Sequence, residues 1–198
     1  MNANNRASKK ITWRKAAVYI SSLALISLAD PRPTTFLVGS ILVVLACLLR
    51  IWAFGYLDKN ALMVTTGPYA HTRNPAYLGS FVALIGVSLA SGNLESFRGQ
   101  CVWGFALFLT ACFFIYYFPR KMKREYPRLK ELFGEQLEEH AANVPNFWPR
   151  VTPWRSGQQR KWSLEMLREN HELSWLVAFA IAFAAIYTVG SWSPFAIA

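Results

Sequence analysis

The chain has 198 residues, of which 54% are apolar, and a formal net charge of +10. The length suits one domain, and the apolar excess over the usual share of about 45–50% gathers in long blocks, which excludes an ordinary soluble globule. The basic residues gather on one side of those blocks, which excludes nucleic-acid binding as the reason for the charge.

Taken in chain order, the first apolar block is the weakest. Residues 16–29 rise only about 21 Å against a bilayer core of about 30 Å. Ile11, Trp13 and the stems of Arg14 and Lys15 extend it to the interface, so a helix near 14–30 is expected to span. Asp30-Pro31-Arg32-Pro33 follows it where a signal peptide would need a small-residue cleavage site, so it reads as an uncleaved helix. The second span is expected near 35–56, interrupted only by Arg50, which reads equally as a snorkelling side chain or a pocket residue. Residues 76–94, 99–119 and 173–198 carry no charge. They supply three more spans, near 76–93, 100–118 and 173–191.

With the amino terminus inside, eighteen basic residues fall on the inner side, five before the first span, Lys59 and Arg73 between the second and third, and eleven from Arg120 to Arg168. The outer loops hold only Arg32 and Arg98. This asymmetry predicts a cytoplasmic amino terminus and an outer carboxyl terminus, in a multi-pass protein suited to a bacterial inner membrane. The run Arg120-Lys121-Met122-Lys123-Arg124 reads as an anchor on anionic lipid. Cys47, Cys101 and Cys112 fall within spans and form no CxxC pair or Cys/His cluster, so no metal site is predicted.

The inner segment 119–172 is too polar to lie in lipid. Met122, Tyr126, Leu129, Leu132, Phe133 and Leu137 recur at helical spacing, so an amphipathic helix is expected, broken or restarted at Pro127 and weakened at Gly134. Pro145, Pro149 and Pro153 interleave with Trp148, Trp154 and Trp162 in an irregular, interface-seeking stretch. A last helix begins at Ser163, its N-cap, and is expected to run into the fifth span. His140 and His171 read as interface or surface histidines.

Gly67-Pro68-Tyr69-Ala70-His71-Thr72-Arg73-Asn74-Pro75-Ala76-Tyr77-Leu78-Gly79 packs two stiffening prolines, two tyrosines, a histidine and an arginine between apolar runs. Such sequence at a membrane boundary is costly unless it lines a cavity or binds something. Together with Asn60 to Thr66 it resembles the isoprenylcysteine carboxyl methyltransferase and phospholipid methyltransferase superfamily. That pattern reads Leu-Val-Thr-x-Gly-Pro-Tyr, then Arg-His-Pro-x-Tyr-x-Gly. A second block of the pattern is met by Glu125, Leu129, Phe133-Gly134 and Val144-Pro145.

The resemblance implies an all-α integral membrane fold with a cytosolic helical segment capping an inner pocket. It implies S-adenosylmethionine as the methyl donor, and a lipid or lipidated acceptor reached through the bilayer, with a carboxylate, thiol or headgroup as nucleophile. Carried onto this sequence, it places the cofactor against Val64, Gly67, Pro68, Tyr69, His71, Arg73, Asn74, Tyr77 and Glu125, with Arg73 and Glu125 acting in catalysis. Tyr69 and Tyr77 are expected to face a sulfonium or stack on adenine, and Arg73 to fork onto a carboxylate.

Two positions depart from the pattern: Asn74 stands where the family has histidine, and Tyr126 where it has a second glutamate. A carboxylate or thiolate acceptor needs little help, whereas an ammonium must first lose a proton, so Tyr126 disfavours an amine acceptor. Two other readings compete: a sterol-type membrane reductase using a reduced nicotinamide cofactor, and a non-catalytic membrane protein of the same fold.

Overall fold

The computed structural model describes residues 20–59, 61–154, 160–170 and 173–191, and every regular element among them is helical. The basic amino-terminal cluster, the start of the first expected span and His171 lie outside the described residues. Helix α1 covers residues 20–28 and α2 Pro33–Tyr56. Next come α3 (Pro75–Ser91), α4 (Phe97–Ala111), α5 (Phe118–Phe133), α6 (Glu135–Asn143), α7 (Leu164–Glu169) and α8 (Leu173–Ser191). Two helices among the described residues are long and apolar enough to cross a membrane, Pro33–Tyr56 and the continuous stretch Phe97–Phe133. Pro75–Ser91 and the apolar part of α8 are shorter than that measure.

The pair α2 and α3 forms the centre of the fold. Gly39, Val43, Ala46, Arg50 and Ala53 make a buried stripe along α2, and Gly79, Ala83, Gly86 and Ala90 answer it on α3. A Cβ on Gly86 would stand 2.8 Å from a Val43 methyl and 2.9 Å from the Gly39 carbonyl oxygen. Small residues at this spacing let helix backbones meet where lipid offers no hydrophobic drive to association. Arg50 does not snorkel. It is buried, and its guanidinium donates across to α3, to the Ala76 carbonyl at 3.1 Å and the Ser80 hydroxyl at 2.5 Å. Gly79 leaves room for it, since a Cβ there would lie 2.6 Å from the Arg50 Cγ.

At the end of the α2–α3 pair away from Arg50, Asn93 clasps two loops together. Its Nδ2 donates to the Asp30 carbonyl (2.7 Å) and carboxylate (3.0 Å), and its Oδ1 accepts from the Glu95 and Ser96 amides. Ser96 then caps α4 through the Gly99 amide.

Helix α5 continues α4 without a break, through the π-helical turn Cys112–Tyr117. That wider turn lies just before Pro119, whose ring would clash with a carbonyl in regular α register. Two expectations about the segment that follows need correction. Pro127 does not break α5, which runs through it to Phe133. The stop falls at Gly134, where φ is +49°. Ser163 does cap α7, accepting from the Glu165 amide at 3.2 Å. However, α7 ends at Glu169 instead of running on as a helix.

The reason lies in the last turn of α2, whose carbonyls have no partner within the helix. There the Ser163 amide donates to the Gly55 carbonyl and Asn170 Nδ2 to those of Phe54 and Leu57, while Trp162 Nε1 reaches one turn further back to the Ile51 carbonyl. Arg160 adds an ion pair to Asp58 at 3.1 Å. Residues 160–170 therefore cap the carboxyl-terminal end of α2.

Candidate active site

The opening loop and the proline-rich stretch, some seventy residues apart, lie antiparallel along one seam. The Arg73 amide donates to the Pro145 carbonyl (3.0 Å), and the Thr72 hydroxyl to that of Phe147 (2.9 Å). The His71 carbonyl accepts from the Arg150 amide (2.9 Å), while His71 Nδ1 donates to the Arg150 carbonyl (2.9 Å). The Ala70 carbonyl accepts from the Trp154 amide (3.0 Å). Asn74 belongs to the seam too: its Nδ2 donates to the Asn146 carbonyl and side-chain oxygen, at 2.9 and 2.8 Å. An amide in place of the family's imidazole therefore serves here to hold the 145–148 turn.

Within the loop, residues 67–70 make one 3₁₀ turn that Gly67 opens at φ +59°. Positive φ favours glycine, and the Tyr56 ring would lie 2.8 Å from a Cβ at this position. Pro68 is buried in the turn. Val64 and Tyr69 pack with Ala53 in a small core beneath it, flanked by Tyr56, Leu57 and Ala76. Burial pushes the Tyr69 phenol well above its ordinary pKa, so the hydroxyl stays protonated at neutral pH.

Tyr77, Lys121 and Glu125 form a second group, where α3 meets α5. The Lys121 ammonium lies 4.5 Å from the Tyr77 ring centre and 3.0 Å from a Glu125 oxygen. The predicted carboxylate thus pairs with Lys121, one helical turn away. Beneath it, Phe81, Phe113, Phe114, Phe118 and Phe147 make a wall of rings, mostly edge-on, with Phe113 stacked between Phe81 and Phe118.

Arg73 is half-buried, and burial lowers its pKa while the neighbouring Tyr126 opposes the shift. Its Nε has no hydrogen-bond partner among the described residues.

Sequence reasoning missed His140. It is no surface residue: it is 1% exposed, and its Nε2 donates to the Tyr69 carbonyl at 2.8 Å. Its ring lies 5.6 Å from that of Trp154. Burial lowers its pKa, the bond to Tyr69 opposes this, and the charge of Arg73 lowers it further. Its spacing, four residues before Val144-Pro145, ties it to the seam, but only the fold reveals its partner.

A family model described as phospholipid methyltransferase matches residues 34–136. The chain belongs to that family. Among curated proteins it is 30% identical over 121 residues to the nickel-cobalt-cadmium resistance protein NccN of Alcaligenes xylosoxydans xylosoxydans, covering 60% of this chain and 52% of the relative. It is 29% identical over 125 residues to the cobalt-zinc-cadmium resistance protein CzcN of Cupriavidus metallidurans, covering 62% and 53%. With the protein-S-isoprenylcysteine O-methyltransferase of Schizosaccharomyces pombe it shares 28% identity over 96 residues, covering 48% and 36%. The chain thus spans about half the length of the first two relatives and about a third of the yeast protein. No solved structure matches it.

Proposed function

We propose that this protein is an S-adenosylmethionine-dependent methyltransferase acting on a membrane-embedded or amphiphilic acceptor through a carboxylate, thiol or lipid headgroup. We place it as a five-span protein of a bacterial inner membrane, with the amino terminus cytoplasmic and the carboxyl terminus outside. The observation that carries the reading is the seam. It bonds residues 70–74 of the first motif block to the stretch that starts at Pro145, where the second block ends, beside the aromatic wall that Phe147 shares. Family membership supports it against the reductase reading.

The residues at the site suit such a cofactor. A half-buried guanidinium, a carboxylate, an aromatic face and buried polar atoms without partners are the donor and acceptor set that an amino acid joined to a nucleoside requires. When bound, S-adenosylmethionine supplies a methyl carbon made electrophilic by its sulfonium. Arg73 would hold a carboxylate, and Glu125 would accept from an ammonium or hydroxyl. Tyr77 offers a ring face to a cation in place of Lys121, contributing about 0.5–2 kcal/mol. The aromatic wall excludes water, and the seam fixes the loop so that the reactants meet in line. No residue here needs to remove a proton from a carboxylate or thiolate acceptor, which fits tyrosine at position 126.

The names of two relatives speak of metal resistance. Among the described residues no three His, Cys, Asp or Glu side chains group as a ligand set, so the methyl-transfer reading does not draw on those names.

The test is a binding titration on detergent-purified protein, with S-adenosylmethionine and a reduced nicotinamide cofactor in parallel. Saturable binding of the first, lost in Arg73→Ala and Glu125→Ala, is expected. Binding of the second alone would move the protein to the reductases. Binding of neither would leave the non-catalytic reading.

A further inference from the structure

Tyr77 and Glu125 come from different motif blocks and different helices, and Lys121 reaches both. Its ammonium lies 4.5 Å from the Tyr77 ring centre and 3.0 Å from a Glu125 oxygen. The Tyr77 ring is itself held edge-on by Tyr117 and Phe118. One residue further along α5, the Met122 sulfur lies 3.6 Å from Asn74 Nδ2, so the start of α3 meets α5 beside this group. A ring face and a carboxylate converging on one point make a seat for a positive charge, and Lys121 sits in it.

Two features set this pair apart from an ordinary helical strut. On an isolated helix, glutamate four residues before lysine is the better order, and here lysine comes first. The ring of Tyr77, on another helix, therefore shares in fixing the ammonium. The seat is also open to a ligand, since the Lys121 side chain is 29% exposed and that of Glu125 38%. A lysine ammonium is strongly hydrated and rides on a flexible four-carbon stem, so Lys121 can leave the seat without moving α5. A ligand that brings a positive charge to the ring and carboxylate has to displace it. A ligand that is neutral at that point faces no such contest.

We propose that Lys121 is a built-in competitor for this cation seat: the site takes the sulfonium form of its cofactor only by displacing Lys121, and takes the uncharged thioether form with Lys121 in place. This rests on the S-adenosylmethionine reading and adds to it a residue that sets the affinity for the charged form.

The test titrates detergent-purified full-length protein with S-adenosylmethionine and with S-adenosylhomocysteine, in wild type, Lys121→Met and Lys123→Met. Lys121→Met is expected to tighten S-adenosylmethionine about ten-fold and to change S-adenosylhomocysteine by less than about two-fold. Lys123→Met removes the same charge from an exposed position two residues on, and is expected to leave both ligands as they are. Lys121→Gln should reproduce Lys121→Met, and it provides a second route if that variant does not fold. A structural strut would give a different result, with both ligands weakened alike in Lys121→Met, and that would overturn the competitor. So would equal tightening of both ligands, or no response in either. Tightening of S-adenosylmethionine by Lys123→Met to the same degree would also overturn it, since the cause would then be net charge and not the seat. Binding of neither ligand to wild type would overturn the cofactor reading, whereas binding of both without a response to Lys121→Met overturns the competitor alone.

Discussion

Replacing Gly67 with alanine perturbs the candidate site without touching a chargeable group, and two other glycines calibrate the effect. At Gly67, φ is +59° and a Cβ would approach the Tyr56 ring to 2.8 Å. Tyr56 packs against the Ala53, Val64 and Tyr69 core, so the ring has little room to retreat. Gly134 has φ +49° but nothing within 4 Å of its Cβ position. Gly104, inside α4, has open space at its Cβ position and no positive φ. The backbone term for a non-glycine residue in a sparsely populated region is about 1–3 kcal/mol. Forcing an extra carbon into a packed core costs about 1–3 kcal/mol more. Gly104→Ala should therefore be neutral or stabilising by about 0.5–1 kcal/mol through helix propensity. Gly134→Ala should lose the backbone term alone, and Gly67→Ala both, about 2–6 kcal/mol. At roughly 2–4 °C per kcal/mol for a chain of this size, Gly67→Ala should melt clearly below Gly134→Ala. A thermal melt followed by size-exclusion chromatography in detergent reads the order directly. Equal melting points for Gly67→Ala and Gly134→Ala would refute the packing of Tyr56 beneath the turn.

Three further outcomes are expected. Asn93→Ala removes both ends of the clasp and leaves the Glu95 and Ser96 amides without their acceptor. It should cost about 2–4 kcal/mol, measured by the same melt. Thr72→Val keeps shape but strips the donor from the Phe147 carbonyl in a residue that is 2% exposed. It should cost about 1–3 kcal/mol and raise amide exchange across residues 145–154 more than in α2. The third is a pH dependence. The His140 pKa is lowered in the fold, so the unfolded chain binds the proton more tightly. The stability contributed by its neutral ring is complete above about pH 6.5 and declines as pH falls below that value. Melting points between pH 7.5 and 5 should drop, and His140→Gln should flatten that drop.

The parts of this protein that the sequence announced are those carried by local pattern. The long apolar helices Pro33–Tyr56 and Phe97–Phe133, the turn chemistry of Gly67-Pro68 and the cap at Ser163 are all properties of neighbouring residues, and each stands where the pattern placed it; the blocks of α3 and α8 form helices shorter than a span requires. Two of the misreadings share one cause: a local rule met a distant partner. Arg50 reads as ambiguous because nothing near it reveals that Ala76 and Ser80 receive its guanidinium. Pro127 looks like a break, yet α5 continues through it to the glycine at 134. Helix α7 looks continuous with the last apolar block until Asn170 is seen holding the carbonyls of Phe54 and Leu57.

His140 is the sharpest case, and it shows why the site was only half legible. A histidine on a short, charged helix among Glu135, Glu138 and Glu139 has every local mark of a solvated residue. Its burial follows from the seam, because pairing residues 145–154 with 70–73 draws α6 over the Tyr69 carbonyl. The motif residues that sequence does reveal are largely those that build this seam: Gly67 and Pro68 shape the turn, His71 and Asn74 bond across it, and Tyr69 fills the core beneath. Thr66 Oγ1, Arg73 Nε and His140 Nδ1 are buried without a hydrogen-bond partner among the described residues, and only Arg73 lies at a position the pattern marks for chemistry. A recognisable motif here therefore marks chiefly the scaffold of the candidate site, and a residue such as His140 joins that scaffold only through the fold.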